Sequence, residues 1–146
     1  LEQEISRLKR IKSPLSLIMV GIDKFKELIE SSGMPSLKDI IIKKHGSSIK
    51  RVIRFNDLAC RLEGDKFVIL MPDTTFEGAS IAAEKIYNNI KDFSFKANNE
   101  TLKTTVTLSV MQYDLKINAP DLIELAEKSL INGQNEGGNK IVYYKG

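Results

Sequence analysis

Apolar residues open the chain at helical spacing: Leu1, Ile5, Leu8 and Ile11 stand four, three and three positions apart. The pattern predicts an amphipathic helix over Leu1–Lys12, already under way at the first residue, as expected of a piece of a longer chain. Ser13-Pro14 ends it, because the residue before a proline is biased away from the helical region. Leu15–Ile22 is then apolar over a strand's length, the pattern of a central strand covered on both faces. Helical spacing returns over Asp23–Ser31 through Phe25, Leu28 and Ile29, with Asp23 placed to cap it. Ser31-Ser32-Gly33-Met34-Pro35 breaks that helix. A further helix is predicted from about Ser36 to Ile53, on Leu37, Ile40, Ile41, Ile49, Val52 and Ile53. His45-Gly46 interrupts it, glycine costing about 1 kcal/mol in a helix interior, and His45 is expected at a helix end in a solvated or capping role.

Two short strands, Leu58–Leu62 and Phe67–Met71, flank Glu63-Gly64-Asp65-Lys66, which predicts a hairpin. Pro72-Asp73-Thr74 turns the chain into a helix over Phe76–Ile90 with Ala79, Ala82, Ala83, Ile86 and Ile90 on one face. Thr104–Val110 alternates like a strand, Asp121–Asn132 is a helix capped by Ala119-Pro120-Asp121, and Lys140–Tyr144 is a closing strand. The predicted order is α-β-α-α-β-β-α-β-α-β. Residues 1–12 are expected to be the end of an upstream helix leading into a domain over 13–146.

Composition narrows the classes. At 146 residues the chain fits one domain, and 42% hydrophobic with 28% charged residues excludes disorder. The net charge of +3 is small and dispersed, which argues against nucleic acid or a membrane surface as partner. One cysteine, Cys60, excludes a disulfide framework and a cysteine-based zinc site, and its apolar surroundings predict a buried core thiol. The longest apolar stretch, Leu15–Ile22, is too short to span a bilayer. No secretory apolar segment opens the chain, and an unpaired cysteine suits the cytoplasm.

Chemistry concentrates at the hairpin. Glu63, Asp65 and Lys66 on a Gly64 hinge would, taken alone, be a charged and solvated turn. In context, Arg61–Thr74 resembles the signature hairpin of GGDEF domains, the diguanylate cyclase family. Pro14–Lys26 is similar to that family's first strand and following helix, Thr105–Val110 to its "TVSIGV" strand, and Leu130–Val142 to its closing stretch in spacing. The family's opening DxLTGLxNRR segment is missing. The resemblance implies an α/β (α+β) fold, a central, mostly antiparallel five-stranded sheet flanked by helices, as in nucleotide cyclase and polymerase palms. Active members bind one GTP per half-site, and a dimer joins two into cyclic di-GMP by metal-dependent phosphoryl transfer.

Carried over position by position, the family's metal-binding aspartate falls on Gly21, and the signature becomes Glu63-Gly64-Asp65-Lys66-Phe67. Asp65 keeps an acidic metal-ligand position, Glu63 stands where a glycine approaches the triphosphate, and Lys66 inverts the charge of an acidic position. The guanine-recognising positions fall on Ile29 and Lys38, and the C-terminal phosphate-gripping ones on Gln134 and Gly138. Lys26 keeps one phosphate-binding lysine, and Asp23 is a weak substitute ligand. The expectation from these departures is a degenerate site: no enzyme, no catalytic residue, no metal and no cofactor. Arg54-Phe55-Asn56-Asp57 stands at the register of the family's RxxD inhibitory site, with residues 58–62 before Glu63, and a family basic position falls on Lys85. An arginine fork can take a guanine edge or a phosphate, and a carboxylate can accept from guanine N1 and N2. Taken alone, Arg54 and Asp57 are an exposed ion pair at a helix end. The resemblance therefore implies a cyclic di-GMP receptor module of the bacterial cytoplasm, its ligand an intercalated pair held by Arg54, Asp57 and Lys85. The implied partners are a protein or fused signalling domain and a second copy in a homodimer. The alternatives are a nucleotide-independent scaffold and a weak residual cyclase.

Overall fold

The computed structural model describes residues 1–9, 13–113 and 118–144. In chain order its elements are α1 (Glu2–Lys9), β1 (Leu15–Ile22), α2 (Phe25–Ser32), α3 (Leu37–Val52), β2 (Leu58–Arg61), β3 (Lys66–Pro72), α4 (Phe76–Ile90), β4 (Phe93–Ala97), β5 (Glu100–Thr104), β6 (Val106–Gln112), α5 (Ala119–Asn135) and β7 (Lys140–Tyr144). The unbroken apolar run makes β1 the middle strand, buried at every position. The sheet order is β2-β3-β1-β6-β7. β1 pairs antiparallel with β3, placing Gly21 opposite Lys66, and with β6, placing Gly21 opposite Thr107. β2 pairs antiparallel with β3, while β6 and β7 pair parallel, as a crossover through a helix such as α5 requires. The expected α/β architecture, with a mostly antiparallel five-stranded sheet flanked by helices, is the one observed.

Alternation along the strands divides the core between the two faces. Ile18, Val20 and Ile22 pack with Phe67, Ile69, Val106 and Leu108 under α3 and α4. Leu17 and Met19 pack with Val68 and Leu70 under α1 and α5, where Ile5 and Leu130 are fully buried. The α5 helix lies close to the sheet because Gly133 has no side chain: an added Cβ would stand 2.6 Å from Val142 Cγ2.

Several expectations change. The hairpin β4–β5 was not expected; it turns on Asn98 and Asn99, both at positive φ (50° and 71°), a backbone that asparagine tolerates and tight hairpins need. Helix α5 starts at Ala119 and runs to Asn135, and its cap is Asn118, whose side chain accepts from the Asp121 N–H at 2.9 Å. Helix α3 stops at Val52, one residue short of the expected end, and Arg54 follows in the turn after it. Cys60 is half-buried on the edge strand β2, not sealed in the core. The last part of the predicted first helix, 10–12, lies outside the described residues.

His45 is neither solvated nor a cap. It sits within α3, fully buried, with Nδ1 donating to the Ile41 carbonyl at 2.8 Å. Because that carbonyl can only accept, the neutral ring carries its proton on Nδ1, leaving Nε2 to face the Thr104 hydroxyl at 3.5 Å. The rings of Phe93 and Phe95 stand 4.9 and 6.1 Å away. Burial pushes the imidazole below its ordinary range, so the folded protein resists protonating it. Gly46, beside it, admits the Phe67 ring, 3.3 Å from where a Cβ would stand.

Asp23 does not cap α2. The cap position is Lys24, in the left-handed region at φ 51°, with no side-chain bond. Asp23 instead joins three segments. Its Oδ1 accepts from Thr107 Oγ1 at 2.7 Å, and its Oδ2 from Thr105 Oγ1 at 2.7 Å and from the Asn139 N–H at 2.8 Å. Gly138, at φ 66°, passes so close that an added Cβ would stand 2.7 Å from that carboxylate.

His45 and the Asp23 network each set outcomes that can be measured. A histidine whose folded pKa is depressed lends stability above its unfolded pKa of about 6.5, and that stability is lost as the pH falls towards the folded value. Thermal unfolding should therefore show a drop in Tm between about pH 7 and pH 5 that is smaller in His45→Gln than in wild type; equal drops would mean that His45 plays no part in it. Asp23→Ala leaves three donors without their acceptor and should lower stability by about 3 kcal/mol, read from the urea midpoint. Thr107→Val, which removes one of those donors, should cost about 1 kcal/mol.

Candidate functional site

The C-terminal end of β1, helix α2, the β2–β3 turn and the end of α5 enclose a cleft of about 670 Å³. The turn forms because Gly64 takes φ 79°, the Leu62 N–H bonds the Lys66 carbonyl at 2.8 Å, and Arg61 Nη2 donates to the Gly64 carbonyl at 3.2 Å. It carries Asp65 and Lys66 into the cleft, where Asp23, Lys26 and Gly64 also lie, together with Ile29, Lys38 and Gln134. Glu63 is exposed and stays off the cleft wall. Gly21 is covered: a Cβ there would stand 2.9 Å from Gln134 Nε2 and 3.0 Å from Leu130 Cδ2. Lys24, Glu30, Asn135 and Gly137 also line the cleft, and no sequence motif singled them out.

Burial pushes the Asp65 carboxyl above its usual range, a rise that the Lys66 ammonium opposes. That ammonium stands 3.9 Å from Asp65 Oδ1, and both side chains are about one-fifth exposed (21% and 20%).

The expected RxxD residues meet in a second, smaller pocket of about 160 Å³ at the opposite end of β3. Arg54 and Asp57 reach it from the turn after α3, and Lys85 from α4. The Asp57 carboxylate accepts from the Arg54 backbone N–H at 2.9 Å and from Arg54 Nη2 at 3.4 Å, clipping the turn shut. Its side chain is 1% exposed, against 63% for Arg54. Arg54 also donates to the Thr74 hydroxyl, which in turn donates to the Pro72 carbonyl at 2.9 Å. Thr74 is itself fixed, its N–H bonded to the Pro14 carbonyl and its carbonyl accepting from Ser16 Oγ. Only its place in a turn marks Thr74 in the residue order.

Comparison with known proteins places this geometry. The family model described as "Diguanylate cyclase, GGDEF domain" matches residues 1–140. Diguanylate cyclase A of Treponema denticola is 27% identical over 135 residues, covering 92% of this chain and 36% of that protein. Diguanylate cyclase DosC of Escherichia coli is 25% identical over 145 residues, covering 99% of this chain and 31% of that protein. The chain thus spans about a third of the length of these curated relatives. Among solved structures, the GGDEF domain of DgcB from Caulobacter crescentus in complex with c-di-GMP superposes with a TM-score of 0.84 at 20% identity, covering 98% of this chain and 85% of that one.

These findings correct one expectation. The departures at Gly21, Ile29, Lys38, Lys66, Gln134 and Gly138 pointed to a chain that is no enzyme, whereas the family matched over nearly its whole length is an enzyme family with relatives named as cyclases. The chain belongs to the GGDEF family of diguanylate cyclase domains.

Proposed function

We propose that this domain senses cyclic di-GMP in the bacterial cytoplasm, through the pocket that joins Arg54 to Lys85. The observation that carries the reading is convergence: two cations from separate elements, Arg54 after α3 and Lys85 on α4, face one concavity whose floor includes Ile53, Met71 and Ala82. At about 160 Å³ it falls below the roughly 300–1,000 Å³ that engulfs a drug-sized ligand. It suits the edge of a ligand, a guanine rim or a phosphate, gripped from one side. An intercalated pair of cyclic di-GMP molecules offers both.

Roles follow from the geometry. Arg54 presents a largely exposed guanidinium, held at its base by Asp57 and Thr74, and is the contact residue. Planar and forked, it can meet guanine O6 and N7 or two phosphate oxygens together. Lys85 adds a mobile point charge. Asp57 enters as a positioning residue, because its carboxylate is already committed to the Arg54 turn. A scaffold role has one observation in its favour: Phe55, between Arg54 and Asp57, is wholly exposed at 101%, and Ile81 on the pocket wall at 58%.

Calorimetric titration with cyclic di-GMP tests the reading. Wild type should bind. Arg54→Ala should weaken binding roughly 10–100-fold, matching about 1.5–3 kcal/mol for a charge-assisted contact. Lys85→Ala should lose less and flatten the salt dependence. Equal binding by wild type and Arg54→Ala would move the site elsewhere, and absence of binding by wild type would favour the scaffold.

A further inference from the structure

Large apolar side chains scattered singly over a surface are ordinary. Two of them here are gathered at one place. Phe55, in the turn after α3, is wholly exposed at 101%, and Ile81 of α4 is 58% exposed. Ile81 lines the pocket of about 160 Å³, and Phe55 stands in the chain between Arg54 and Asp57, which line it too. The turn is what holds Phe55 out. The Asp57 N–H bonds the Arg54 carbonyl at 3.1 Å, so Phe55 and Asn56 are the corner residues of a tight turn. Leu58, 37% exposed, does not join them: it pairs with Leu70, which packs under α1 and α5 on the other face of the sheet.

The pocket itself says what an occupant must carry. Val52, Ile53 and Met71 line it with apolar surface, and its size suits one apolar side chain. Arg54 and Lys85 line it as well, both exposed, so the occupant's neighbouring groups meet positive charge. Arg51, exposed in the last turn of α3, adds to that potential. Asp57 is the acid that lines the pocket, and its carboxylate is buried and committed to the turn. Glu84 lies beside the Tyr143 hydroxyl of β7. Asp73 and Glu77 stay exposed at the start of α4, where a helix N-terminus favours negative charge, and neither lines the pocket. An apolar seat beside unspent cations is complementary to an apolar side chain flanked by carboxylates.

We infer that this face docks an acidic segment of another protein, seating one apolar side chain in the pocket and carboxylates on Arg54 and Lys85. Phe55 and Ile81 supply the apolar surface beside that anchor. Carboxylates meet an arginine fork as phosphates do. The segment and cyclic di-GMP therefore exclude one another, a consequence that rests on the function proposed above. Docking itself does not rest on it, since it uses Phe55, to which that function gives no task.

Selection from a library of random peptides displayed on phage, with fluorescence polarisation of the recovered peptides, tests it. Recovered sequences should place aspartate or glutamate around a large apolar residue, and their binding should weaken as salt rises. Phe55→Ser should weaken that binding roughly 10-fold, and Arg54→Ala by about as much. The Tm of Phe55→Ser should match wild type, because the side chain it removes is wholly exposed. Its affinity for cyclic di-GMP should also match wild type, whereas Arg54→Ala loses both ligands. Saturating cyclic di-GMP should release the peptide from wild type. Acidic peptides that bind a wild type unable to bind cyclic di-GMP would support docking and refute the receptor reading. Peptide and cyclic di-GMP held together would overturn their exclusion. No enriched peptide, recovered peptides without an excess of acids, or equal affinity for wild type and Phe55→Ser would overturn docking.

Discussion

One carboxylate sets the geometry on which the rest of the molecule depends. Asp23 follows the last residue of β1 and accepts from two threonines at the start of β6 and from the backbone after α5. A hydrogen bond to an ionised acceptor is stronger than a neutral one, and here three converge on one side chain. They fix where the chain re-enters the sheet as β7, and so where α5 can lie. With α5 placed, Leu130 and Gln134 come down over Gly21, and Gly133 is pressed against Val142 and Thr107. Gly138 is glycine for the same reason, since at that position a side chain would collide with the carboxylate.

The strand pair β1–β3 then separates the two cavities. Lys66 opens β3 at the cleft and Pro72 ends it beside Thr74, with Leu15 of β1 opposite Pro72. At about 3.3 Å per residue the two sites lie roughly 20 Å apart along a ladder buried everywhere but at the two ends of β3. Among the described residues, none lines both cavities. Communication between them would have to move the strands themselves, and closely packed strands rearrange in discrete steps rather than by graded bending.

Much of this was legible in residue order. The buried run Leu15–Ile22, the helical face of Phe76–Ile90 and the Gly64 turn announce themselves through period and turn chemistry, and each forms as expected. The hairpin β4–β5 was hidden because Phe93-Ser94-Phe95-Lys96-Ala97 is short, and its Asn-Asn turn is a weaker signal than Asn-Gly. His45 was misplaced for a related reason. Next to Gly46 it looks like a helix ending, but Gly46 serves instead to admit the Phe67 ring while the helix runs on. In residue order Asp23 suggests only a local task, because its partners lie 82 to 116 residues away, beyond any local pattern. Register alone singles out Arg54, Asp57 and Lys85 in the sequence. That Asp57 serves Arg54 rather than facing outward needed the turn after α3 to be seen closed.

Positions 21 and 66 show what pairing adds to a list of residues. Each, taken singly, subtracts something: a glycine where a carboxylate is expected, a lysine where an acid is expected. The ladder puts them face to face, but Leu130 and Gln134 of α5 fill the volume beside the glycine, so Lys66 alone of the two reaches the cleft. A metal site at that volume would combine carboxylates with a mobile cation, which must be recruited and held by several ligands at once. Opposite that glycine the chain places an ammonium, its stem held within the hairpin. Asp65 stands 3.9 Å from that ammonium, whose positive charge opposes the rise that burial gives the carboxyl. Packing thus explains the glycine, against which Leu130 and Gln134 lie, and charge the pairing of Asp65 with Lys66.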